Sequence, residues 1–140
     1  MNLSREAKLM CGVILITIPT IEYGGTFLLT VLSGQFEMPL TDFQKGMFRA
    51  GHAHAGVLVI LGLIAQILID NITFGHRLKM WLRGGFVTAA LLVSGGFFAA
   101  AIGENLTKPN SNIWILWLGV IVLAVSLLAT GFGLIKNSKQ

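Results

Sequence analysis

The chain is predicted to be an all-α integral membrane protein, an up-down bundle of four helices with both termini in the cytoplasm. Three observations predict this. Of the 140 residues, 54% are hydrophobic and only 11% are charged, too little charge to cover a soluble domain of this length. Four apolar runs, at 9–33, 46–69, 80–103 and 113–135, each come near the ~20 residues a membrane helix requires. Basic residues also gather on one side of those runs. Helices satisfy their own backbone groups, whereas a small barrel would need strands alternating polar and apolar residues, so helices are preferred. The length fits a single domain over 1–140.

The first run is longer than the apolar core of a signal peptide, and no clear small-x-small cleavage site ends it, so it is read as a helix. It carries Cys11, Pro19, Glu22 and Tyr23. Proline inside a helix frees a carbonyl and tends to kink the span. Glu22 is a carboxyl at membrane depth, on one stripe with Cys11, Thr26 and Ser33. Cys11 is the single cysteine, which excludes an internal disulfide and any Cys-x-x-Cys metal or haem-attachment pattern. The connection 34–45, containing Pro39, is placed outside.

The second run holds the most informative residues, His52 and His54. Ionisable rings at hydrocarbon depth are costly and are usually kept for function. At ~100° per residue, Arg49, His52, Gly56, Gln66 and Asp70 fall within about 60° of one line, a polar stripe expected to face the bundle interior. His54 lies about 200° from His52, so the two rings face opposite ways and cannot readily share one ion. A zinc site on one helix would use a spacing of three or four. Counted from the outer ends, Glu22 lies about eleven residues in and the histidines six to eight, roughly 9–16 Å deep. These groups share the outer half of the membrane.

The third run offers Gly84, Thr88 and Gly95 on one line, and the fourth offers Asn112, Gly119, Ser126 and Thr130. The glycine pairs at 24–25, 84–85 and 95–96 are read as close helix packing. Trp114 and Trp117 suit an interfacial aromatic belt. The connection 70–79 is placed inside and 104–112 outside, and such short links force antiparallel neighbours. One side then carries Arg5, Lys8, Arg77, Lys79, Arg83, Lys136 and Lys139, against Lys45, Arg49 and Lys108 on the other. The positive-inside bias puts both termini in the cytoplasm of a multi-pass protein of the inner (plasma) membrane. A nucleic-acid patch is the wrong reading, because these charges flank membrane spans.

Plainer roles compete for each polar group. Glu22 is expected to be protonated or paired with Arg49, and the hydroxyls to bond their own helix. Arg83, Lys45 and Asp70 are expected to snorkel or cap at the interfaces, and His76 to be solvated. His52 has the alternative of a structural hydrogen bond across helices, and His54 that of an oligomer contact.

The segment Ala50-Gly51-His52-Ala53-His54-Ala55-Gly56-Val57-Leu58-Val59-Ile60-Leu61-Gly62 resembles the His-x-His helix of haem-copper oxidase and nitric oxide reductase catalytic subunits. There the two histidines serve different haems on opposite faces. The chain is also similar to small bacterial four-helix membrane proteins with a His-x-His near the start of helix two. A full oxidase site needs many more spans and further histidines, and the remaining histidine, His76, lies on the other side. The resemblance therefore implies at most a single haem b, with His52 and a group such as Tyr23 or Met47 as axial ligands, or His54 shared between neighbouring chains.

Three functions follow as expectations. One is a bundle binding haem b, or otherwise copper or zinc, through His52, His54 and Glu22, for electron transfer or cofactor handling. Another is a proton-coupled transporter or channel relaying through Glu22, His52 and Arg49. The third is an accessory or assembly subunit of a larger membrane complex. The lipid bilayer is the expected partner, with a homo-oligomer or larger complex beyond it. No nucleophile-base pair or phosphate loop points to catalysis in the chain alone.

Overall fold

The computed structural model describes residues 3–138, and Lys139, counted in the charge bias, lies outside them. Four helices account for most of it: α1 Arg5–Leu32, α2 Asp42–Asp70, α3 His76–Ala100 and α4 Ile113–Asn137. All four are long and apolar enough to cross a membrane. Each coincides with one apolar run; the starts of α1 and α2 are set by polar caps rather than by hydropathy, whereas Gly75 and Asn112, before α3 and α4, make no side-chain cap bond. Ser4 begins α1 by accepting from the Ala7 N–H at 3.1 Å. Thr41 and Gln44 form a reciprocal capping box, so α2 starts four residues before the apolar run. At the far end of α1, Gly34 takes a left-handed conformation with φ 75°, which glycine adopts without a Cβ penalty.

Helix α3 stops at Ala100, before the expected 103, because the following link captures its last carbonyls. Gln44 Nε2 donates to Ala101 O at 2.9 Å and to Gly103 O at 2.8 Å. The Asn110 side chain donates to Ala99 O and Ile102 O, and its backbone N–H to Ala100 O. These bonds satisfy carbonyls that the end of a helix leaves without partners.

Helix directions follow from the contacts at each end. Ser4 meets Asp70 and Arg83, and Asn137 meets Asn71 and Thr73. The described ends of the chain therefore lie together, and α2 and α3 turn at the same end. At the opposite end Thr41 meets Leu106. Neighbours are antiparallel, as the short connections require.

Packing runs in chain order, α1 on α2, α2 on α3 and α3 on α4; α1 and α4 do not touch. The bundle is thus open along one side. At the end where Ser4 and Asp70 meet, its core joins Ala65, Ile69, Ile72, Leu82 and Phe86, with Leu123 and Leu134 of α4 packed against them. In a membrane, helices associate by packing and polar contacts rather than by apolar burial from water, and small residues let backbones meet closely. That is the relation of α3 to α4. A Cβ on Gly96 would strike the backbone of Leu116, and one on Gly119 would lie 2.7 Å from the Val93 nitrogen. In each glycine pair the second member makes the approach: Gly25 meets His52, Gly85 meets Ser126 and Gly96 meets Leu116, while Gly24, Gly84 and Gly95 meet nothing within 4 Å.

Candidate functional site

The polar groups sort into two places. One is the histidine region, in the half of the bundle where Thr41 meets Leu106; the other is a cluster at the end where Ser4 and Asp70 meet.

His52 and His54 both lie on α2 and separate as the helix repeat requires. His52 is half-buried and His54 is exposed. The His52 ring lies against Gly25 of α1, and a Cβ there would sit 2.6 Å from both Cε1 and Nε2. Glycine at 25 is what lets the imidazole fit between the helices. The ring also lines a mostly apolar cavity of about 420 Å³ with Phe27, Phe48 and Phe98. Neither Tyr23 nor Met47 lines that cavity, and Tyr23 is 76% exposed on the far face of α1.

His54 turns away from α1. Its Nδ1 lies 2.8 Å from the Ala50 carbonyl one turn back, and its ring is 4.8 Å from that of Phe97 on α3. A carbonyl can only accept, so Nδ1 carries the proton and donates. In the neutral ring Nε2 is then left with a bare lone pair. A histidine ligand held at one nitrogen by a backbone carbonyl has its tautomer and orientation fixed in this way.

Glu22 and Arg49 are exposed, and among the described residues no salt bridge or hydrogen bond joins either to His52. No group of three or more His, Cys, Asp or Glu side chains converges there to hold a metal ion. His76 is exposed, as expected. The α2 stripe thus divides along its length, with Gln66 buried, His52 half-buried and Arg49 exposed. The hydroxyls of Thr17, Thr20, Thr26, Thr30 and Ser33 bond carbonyls of their own helix, as expected for such residues.

The second cluster corrects a reading. Arg83 and Asp70 do not snorkel or merely cap. Arg83 is 2% exposed, with Nη1 donating to Gln66 O at 2.8 Å and to Gln66 Oε1 at 3.1 Å. Its Nη2 pairs with Asp70 Oδ1 and donates to Ser4 Oγ. Asp70 in turn accepts from the Ser4 N–H and hydroxyl, each at 2.8 Å, while Lys79 Nζ donates to the Asp70 carbonyl. One guanidinium thereby ties the start of α1, the end of α2 and the first turns of α3. Burying a charge is tolerable only with this degree of pairing. The available signal was an acid at the end of α2 and an arginine two turns into α3, deeper in its span than Arg77 and Lys79.

Comparison with known families, characterised proteins and solved structures finds no match for this chain. The class follows from the fold itself, that of a multi-pass α-helical protein with four helices long and apolar enough to span a membrane.

Proposed function

We propose that the chain is a four-span protein of the inner membrane, termini cytoplasmic, that holds haem b between two copies of itself. His54 of each copy would hold it; copper or zinc is the alternative occupant of the same donors. The bound group serves electron transfer or cofactor handling, since haem iron between two imidazoles carries single electrons. The supporting observation is His54 itself, exposed and oriented by the Ala50 carbonyl at 2.8 Å so that Nε2 remains free. The same consideration weighs against His52, whose Nε2 edge rests on the α1 backbone at Gly25, leaving no space there for a macrocycle. A second copy is required because the other histidines of the chain cannot reach the same ion: His52 faces α1 on the opposite side of α2, and His76 begins α3 at the other end of the bundle.

The test is purification from membranes in mild detergent, followed by an absorption spectrum and metal analysis. A Soret band at one haem per two chains is expected, lost in His54→Ala and kept in His52→Ala. Colourless, metal-free protein from haem-replete cells sinks the proposal. A subunit role in a larger assembly has its own support, because only 6% of the apolar span of α1 is buried and α1 lacks contact with α4. Stoichiometric co-purification of other chains would favour that role.

A further inference from the structure

We propose that the cleft between α1 and the α2–α3 pair binds a lipid-soluble molecule with an uncharged carbonyl head and a long apolar body. The cleft consists of two adjoining cavities. The one beside His52 holds about 420 Å³, and the deeper one about 450 Å³; both are bounded by Thr20, Ile21 and Ala55. From Val13 to Val31 the walls follow α1 for roughly 27 Å at 1.5 Å per residue, the length of an extended hydrocarbon tail. Exposed Val13 and Leu91 stand in the wall of the deeper cavity, so apolar molecules in the bilayer have a way in. Each volume lies within the ~300–1,000 Å³ range of small-molecule sites.

The head is specified by Ser94. Its residue is 7% exposed, it stands in the wall of the deeper cavity, and its hydroxyl has no hydrogen-bond partner. That is unlike the five α1 hydroxyls, which bond their own helix. An unpaired buried hydroxyl is costly and calls for an acceptor. Thr17 and Thr20 in the same wall already donate to Ile14 O and Thr17 O, so they supply no competing donor. Among the described residues no charged side chain lines either cavity, which disfavours an ionised head. A ketone or quinone-type carbonyl meets these conditions; a fatty acid anion does not.

The experiment uses the whole protein in lipid nanodiscs with three probes, methyl tridecyl ketone, pentadecane and pentadecanoate. The ketone is expected to be retained most tightly, with its isotope-labelled carbonyl stretch lowered in the infrared by the hydrogen bond. Ser94→Ala should remove that lowering and weaken ketone retention about threefold to tenfold, while leaving pentadecane unchanged. Ala90→Phe, which fills the deeper cavity, should reduce both. Equal retention of ketone and alkane overturns the proposal, as does a carbonyl shift that survives in Ser94→Ala or preferential binding of the fatty acid. His54→Ala should leave all three results unchanged, which separates this site from haem binding.

Discussion

Arg83→Ala should be the most destabilising truncation of a polar side chain in this protein apart from that of its partner, Asp70. The side chain is 2% exposed and carries bonds to Gln66, Ser4 and Asp70. Its removal strands Gln66 Oε1 in a buried setting, at about 1–3 kcal/mol for an unmet acceptor. The Gln66 carbonyl counts for less, because it stays within α2 and keeps its helical bond. Asp70 loses its counter-charge but retains both Ser4 donors, and at 16% exposure its carboxylate is partly relieved by solvent. The total is about 3 kcal/mol, the low end of the ~3–5 kcal/mol for breaking a buried pair. Asp70→Ala should cost at least as much, because it leaves the more deeply buried charge uncompensated. A double variant, Arg83→Met with Asp70→Leu, should be less destabilised than the two single truncations added together. Reversible unfolding in mixed detergent micelles, followed by circular dichroism, gives these values. A loss below about 1 kcal/mol for Arg83→Ala, or a smaller loss for Asp70→Ala than for Arg83→Ala, would refute the reasoning.

At the opposite end, Gln44→Ala removes a 2% exposed side chain that bonds Thr41, Ala101 and Gly103. It should lower stability by about 2 kcal/mol and speed amide exchange in residues 101–106, leaving α3 exchange unchanged. The adjacent glycines of α3 give a matched pair. Gly96→Ala drives a methyl into the α4 backbone and should destabilise by about 1–3 kcal/mol. Gly95→Ala meets open space and should be neutral or gain up to ~1 kcal/mol from helix propensity; thermal unfolding of the two variants side by side checks the contrast.

Much of the architecture is legible in hydropathy because a spanning helix must be apolar for most of its length. The four helices, their order and their antiparallel neighbours all follow from run length and short links. The ends are not legible in that way. Hydropathy marks where the apolar stretch stops, while Ser4, the Thr41–Gln44 box and Asn110 decide where the helix stops. The opposite facing of His52 and His54 follows from the helical repeat alone. Which of them meets α1 does not, because it depends on Gly25 lying opposite. Arg83 shows the limit most clearly. A basic residue near the end of a span has water within reach of its long side chain, and snorkelling is then the economical reading. What overrides it is a carboxylate 13 residues earlier, brought close by the turn between α2 and α3, and a cap 79 residues earlier, brought close by the packing of α1 on α2.

The knot of Ser4, Asp70 and Arg83 also bears on the order in which the protein matures. Of the four helices α1 leaves the ribosome first, yet its polar anchor waits for partners 66 and 79 residues downstream. The α2–α3–α4 unit shares a core of its own, whereas α1 leans on α2 with most of its apolar face uncovered. Synthesis of the leading helix and completion of its anchor are therefore separate events. Its polar anchor is complete only when the first turns of α3 stand beside the end of α2. An α3 running the other way would carry Arg83 to the opposite end of the bundle, away from Asp70 and Ser4, and would leave the anchor of α1 unmade.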